Sequence, residues 1–81
     1  LQGATLSDGQ LKDGTKGIRI DEVEKESPAA QAGLHKDDVI ININRTRVQS
    51  IAEMRKLLET KPPVIALNVV RGNDNLYLLI R

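Results

Sequence analysis

The sequence predicts a small α+β domain in which about five strands and two short helices form a mixed sandwich, or a partly open barrel whose open seam the second helix covers. Three stretches carry that prediction. Ser27-Pro-Ala-Ala-Gln-Ala-Gly-Leu34 spells a capped helix with a glycine stop, and Val39-Ile-Ile-Asn-Ile43 is a β-branched, mostly apolar run bounded by polar turns. Behind Ser50, Ile51, Met54, Leu57 and Leu58 recur at helical spacing. The 81 residues suffice for one core, so 1–81 reads as a single domain.

In chain order, Leu1 to Leu6 is a brief strand entering a polar loop that runs to about Lys16. That loop, with Asp8, Gly9, Asp13 and Gly14, has little to bury and is expected to be mobile. From Gly17 to Val23, Ile18 and Ile20 alternate with Arg19 as in a half-buried strand, and Glu24-Lys25-Glu26 is a solvated connection. Ser27 can accept from a free amide of the first helical turn, while Pro28 suits the first helical position because its missing N–H has no partner there. Gly33 can take the left-handed conformation that ends the helix, placing Leu34 to fold back onto Ala29. His35 to Asp38 turns the chain into the strand Val39–Ile43, and Asn44 to Arg47 is read as the next turn. Ser50 caps the second helix, Glu53 completes a capping box, and Lys61-Pro62-Pro63 stops it after about Thr60. Val64–Arg71 and Asn75–Ile80 are strands joined at Gly72-Asn73-Asp74, a hairpin signal.

Composition removes several classes of function. Cysteine is absent, so neither disulfides nor thiolate metal sites hold the fold. Tyr77 is the only aromatic residue, which argues against base-stacking platforms and aromatic proline-binding grooves. Net charge is +1 and the basic residues are interleaved with acidic ones, which disfavours nucleic acid as a partner. No apolar run approaches a membrane span of ~20 residues, so no membrane insertion is expected. The chain opens on Leu1 without Met and is expected to be a piece of something longer.

No side-chain constellation points to catalysis. Ser27 and Ser50 are explained as helix caps, Ser7 lies in a loop, and no oriented base accompanies any of them. His35 sits in a polar turn with no second His or Cys at ligand spacing, so no metal site or cofactor is assigned. Gly14-Thr15-Lys16-Gly17 matches the GXXG of KH nucleic-acid-binding domains, but that motif needs a helix on either side and here a polar loop and a strand flank it.

Taken together, Ser27 to Leu34, Asp38-Val-Ile, Ile43-Asn44, Val48 and the helix from Ile51 resemble PDZ domains of the bacterial type, in the circularly permuted arrangement of the HtrA (Deg) serine proteases. Ala66-Leu-Asn-Val-Val-Arg-Gly and Leu76-Tyr-Leu-Leu-Ile resemble the second, C-terminal PDZ domain of the DegQ and DegP branch. The sequence departs from the family at Asp37, where Gly is usual before the Asp, and at Arg45, where Asn-Gly is usual. A non-glycine residue at positive φ costs ~1–2 kcal/mol.

The resemblance implies a PDZ-like, five-stranded, partly open barrel with two helices, and a periplasmic protease and chaperone as parent, its triad in another domain. It implies two tasks for this non-catalytic module. One is binding extended, apolar peptide C-termini or unfolded substrate by strand addition, so regulating the protease. The other is docking on further PDZ domains of the parent oligomer, linking trimers. Carried over residue by residue, the exposed edge falls on Ile18 to Val23, including Arg19 and Ile20, and the carboxylate-binding loop on Thr15, Lys16, Gly17 and Ile18. The groove-facing helix positions fall on Ile51, Arg55 and Leu58, two apolar and one cationic.

Overall fold

The computed structural model describes residues 3–80. The elements are β1 (Ala4–Gln10), β2 (Lys16–Val23), α1 (Pro28–Gln31), β3 (Val39–Ile43), β4 (Thr46–Arg47), α2 (Ile51–Leu58), β5 (Ile65–Arg71) and β6 (Asp74–Ile80). The strands form one open sheet in the order β1-β2-β3-β5-β6, antiparallel throughout, with β4 paired to β3. Leu1, Gln2 and Arg81 lie outside the described residues, and with them the first two positions of the expected strand Leu1–Leu6.

Local chemistry builds the α1 corner as the sequence predicts. The Ser27 hydroxyl accepts from the Ala30 N–H at 3.2 Å and donates to the Glu24 carbonyl at 2.7 Å. At the other end Gly33 has φ 101°, its N–H reaches the Ala30 carbonyl, and the Leu34 N–H reaches that of Ala29, which is the paired-bond stop of a Schellman motif. Ala29 and Leu34 are thereby buried together. For α2, Ser50 accepts from the Glu53 N–H, but the reciprocal bond differs from a capping box: Glu53 accepts from Gln49 N–H, one residue earlier.

The core lies between the sheet and α2. Ile18, Ile20, Ile40, Ile43, Val48, Leu67 and Val69 are fully buried, with Met54 of α2 against them. Gly17 belongs to this packing, since a Cβ there would lie 2.6 Å from the Ile40 carbonyl oxygen. One buried charge sits among these residues. Asp38 is fully buried and takes a bidentate grip from Arg71, Nε to Oδ1 at 2.9 Å and Nη2 to Oδ2 at 2.8 Å, while the His35 N–H also donates to Oδ2. Arg71 Nη2 donates further to the Gly33 carbonyl, tying the α1 stop to the end of β5. The Asp38 carboxylate holds the Arg71 guanidinium above its ordinary pKa.

Two expectations are corrected. Ser7 to Gln10 is strand, not loop: each residue is paired in register with β2, from Ser7 opposite Arg19 to Gln10 opposite Lys16, and Ser7 donates to Asp21. Its polar side chains are compatible with a strand because backbone pairing, not apolar burial, fixes it; the connection shrinks to residues 11–15. The expected turn 44–47 is a tight reversal at Asn44-Arg45 followed by the two-residue strand β4, giving six strands in place of five.

Candidate functional site

β2 lies inside the sheet, with β1 on one side and β3 on the other. Ile18 to Ile20 are paired on both sides and offer no free edge, which overturns the assignment of the groove to Ile18–Val23. Ile18 and Ile20 are 0% exposed and belong to the core, and Arg19 uses its side chain on Asp37 at 2.8 Å. The loop assigned to carboxylate capture is occupied as well. The Thr15 N–H donates to the Asp13 carboxylate, and the Thr15 carbonyl accepts from the Leu11 N–H. The Lys16 carbonyl accepts from Arg47, and Gly17 is buried opposite Gly9. These residues close a hairpin and do not form a nest of free amides. Hydrogen bonds from Thr15, side chain before backbone, hold the Asp13 carboxyl below its ordinary pKa.

The open edge is that of β1. Ile20 spends both backbone groups on the far side, its N–H on the Asp38 carbonyl and its carbonyl on the Asp37 N–H, each at 2.8 Å. Its register partner Leu6 therefore faces β2 across a non-hydrogen-bonded pair, with its own N–H and C=O turned outward. The alternation repeats at Asp8, and beyond the bulge between Thr5 and Leu6 the bond from Glu24 N–H to the Gly3 carbonyl gives Ala4 the same outward aspect. Ala4, Leu6 and Asp8 thus present a row of outward-facing backbone groups.

α2 stands beside this row. Met54 turns into the core, leaving half-buried Ile51 and Leu58 along the flank and Arg55 exposed. Asp8 crosses from strand to helix: its Oδ1 accepts from the Ile51 N–H at 2.9 Å, the sole hydrogen bond between β1 and α2 among the described residues. Next to it a concavity of about 380 Å³ is lined by Asp8, Gly9, Gln10, Lys16, Gln49 and Ser50. Of the nine residues proposed from sequence, Ile51, Arg55 and Leu58 lie on the helix of this cleft and Lys16 at its end. Thr15, Gly17, Ile18, Arg19 and Ile20 do not join it. The strand residues that do, Ala4, Leu6 and Asp8, were missed.

A strand edge beside a helix is the geometry in which an extended peptide adds to a sheet. The sequence matches the model of the PDZ domain family over residues 1–70. The chain belongs to that family. Over all 81 residues this PDZ domain is 74% identical to the periplasmic pH-dependent serine endoprotease DegQ of Escherichia coli K12, and 49% identical to the probable periplasmic serine protease do/HhoA-like of Haemophilus influenzae Rd. It spans only 18% and 17% of those two proteins. Among solved structures it is similar to the HtrA3 PDZ domain bound to a phage-derived ligand, FGRWV, with TM-score 0.80 and 27% identity, covering 99% of this chain and 81% of that one. In the PDZ frame the cleft between β1 and α2 is the part of this fold with a free edge and a helix wall together.

Proposed function

We propose that this PDZ domain is the non-catalytic module of a periplasmic serine endoprotease of the DegQ kind, binding extended peptide segments by strand addition at the free edge of β1 and so regulating a peptidase carried elsewhere in the parent chain. The carrying observation is the outward-facing backbone of Ala4, Leu6 and Asp8 alongside Ile51 and Leu58 of α2. Main-chain pairing supplies affinity, and the aliphatic wall selects apolar side chains. The ligand of the HtrA3 neighbour, FGRWV, ends in two apolar residues, in keeping with this preference. The test is an NMR titration of the labelled domain with a short peptide ending in apolar residues, beside the same peptide amidated at its C-terminus. Shifts are expected at residues 4–8 and 51–58, and their loss on amidation would establish capture of the terminal carboxylate. Shifts centred on residues 18–23, or none with either peptide, would sink the reading.

A second reading, assembly through other PDZ domains of the parent oligomer, is supported by a separate surface. Tyr77 and Leu79 of β6 are 77% and 58% exposed at the opposite end of the sheet order from β1, beside a concavity of about 590 Å³ also lined by Asn42, Arg45, Ala66 and Asn68. Exposed apolar side chains around a hollow are a recurrent feature of protein contacts. Tyr77→Ser in the full-length parent should reduce its oligomer mass by light scattering while leaving peptide affinity intact. An unchanged mass would remove this face from assembly.

A further inference from the structure

We infer that the Asp13–Gly14 bond, in the connection between β1 and β2, is a site of spontaneous backbone modification, where aspartate isomerises to its β-linked form and loosens the hairpin that bears the free edge. The sequence holds two Asp–Gly bonds, Asp8–Gly9 and Asp13–Gly14, and no Asn–Gly bond. Glycine has no side chain to shield the attacking nitrogen, so these two bonds are the candidates by chemistry alone. The Gly14 amide nitrogen attacks Cγ of Asp13, and the carboxyl loses water to close a cyclic imide. Water then reopens the ring. Its attack at Cγ restores aspartate, whereas attack at the main-chain carbonyl carbon breaks the original peptide bond and leaves the chain running through Cγ. One water leaves and one enters, with no other reactant.

The fold separates the two bonds. Gly9 lies inside β1 opposite Gly17, in the hydrogen-bonded position that the outward aspect of Asp8 leaves to it. The Asp8 carboxylate accepts from the Ile51 N–H at 2.9 Å, and a Cβ on Gly9 would lie 2.7 Å from that of Arg19. Ring closure has to swing the glycine amide round toward the aspartate side chain, and in β1 that motion breaks a rung of the sheet and the tie to α2 together. Asp13–Gly14 is exposed, Gly14 has φ 90°, and no atom beyond its chain neighbours lies within 4 Å of the position a Cβ would take. Its restraints are Gly14 N–H to the Leu11 carbonyl and Thr15 N–H to the Asp13 carboxylate, each at 2.9 Å. Both stay inside residues 11–15 and part without loss of strand pairing. The β-linkage adds one carbon to the main chain of that short connection. The Leu11 N–H to the Thr15 carbonyl, at 2.7 Å, closes the hairpin there, and the adjoining pair, Gln10 and Lys16, lines the hollow at the end of the cleft.

The experiment incubates the folded domain in heavy-oxygen water beside a urea-unfolded sample and locates label and β-linkage by peptide mass spectrometry. Mildly acidic buffer favours the neutral carboxyl that loses water, because hydrogen bonds from Thr15 hold Asp13 below its ordinary pKa; Lys12 and Asp37 border the same hollow. The expected result is label and β-linkage at residue 13 of the folded domain and none at residue 8, with both bonds reacting alike in the unfolded chain. No β-linkage at residue 13, or equal conversion at residue 8 of the folded domain, overturns the inference. The converted fraction, separated by chromatography, should exchange the amides of Leu11 and Gly9 faster than unconverted protein, with β5 and β6 unchanged. Identical exchange at those two amides overturns the loosening of the hairpin. Asp13→Glu, whose longer side chain has a less favoured ring to close, should show neither label nor faster exchange, and faster exchange in the incubated variant would overturn the link between the two. Neither readout depends on peptide binding.

Discussion

Asp38 shows how much one residue can hold in an 81-residue chain. It is 0% exposed, yet each carboxylate oxygen is satisfied, by Arg71 from β5 and by the His35 backbone. Removing Arg71, whose own side chain is 36% exposed, strands a carboxylate that is buried, at a cost of about 3–5 kcal/mol. Arg71→Ala should therefore lower the urea midpoint by that equivalent at unchanged slope; a loss below about 1 kcal/mol would mean that the Asp38 carboxylate finds water instead. Asp37, its neighbour, and Asn44-Arg45 are the places where the sequence lacks expected glycines, and all three residues do adopt positive φ, 72°, 50° and 68°. Asp37 gains the Arg19 ion pair in return, and the Asn44 side chain accepts from the Ala66 N–H. No comparable partner of Arg45 occurs among the described residues.

At the level of elements, what was legible in the sequence was what is local. The two capped helices rest on contacts between near neighbours in the chain, the β5–β6 hairpin extends from the tight Arg71–Asp74 pair, and each formed where its signal lay. Which strand is an edge is a different kind of fact. Alternation in Gly17–Val23 says that one face is buried, but not how many neighbours pair along the sides, and β2 has two. Ser7 to Gln10 misled for the complementary reason: its polarity reflects an exposed strand at the sheet margin, held by backbone pairing that leaves no hydrophobic trace. The Asp38–Arg71 pair, 33 residues apart, had no sequence signal beyond an acid before a strand.

Arg47 illustrates the same point between elements. Its guanidinium donates to the carbonyls of Ile41, Val48 and Lys16, at 2.7, 2.7 and 2.5 Å, so a two-residue strand joins β3 to the start of β2. Three fixed donors suit a planar fork and not a single ammonium. Arg47→Lys should cost about 1–2 kcal/mol and raise amide exchange first at the start of β2; a lysine variant indistinguishable from wild type would show that these bonds are replaced by water.

For the whole molecule, the sheet order separates two margins. β1 with α2 carries the proposed peptide cleft, and β6 carries the exposed Tyr77 and Leu79, so ligand capture and subunit docking need not compete for surface.

The Asp38–Arg71 clamp has a consequence in time. Its two halves, 33 residues apart in the chain, flank the Val39–Val70 pair that joins β3 to β5, and the clamp is expected to close late in folding and to part early in opening. Weakening it should leave the refolding rate nearly unchanged and shorten the lifetime of the native state. A module tethered to a peptidase, as proposed here, survives by how seldom its chain comes loose within reach of that enzyme.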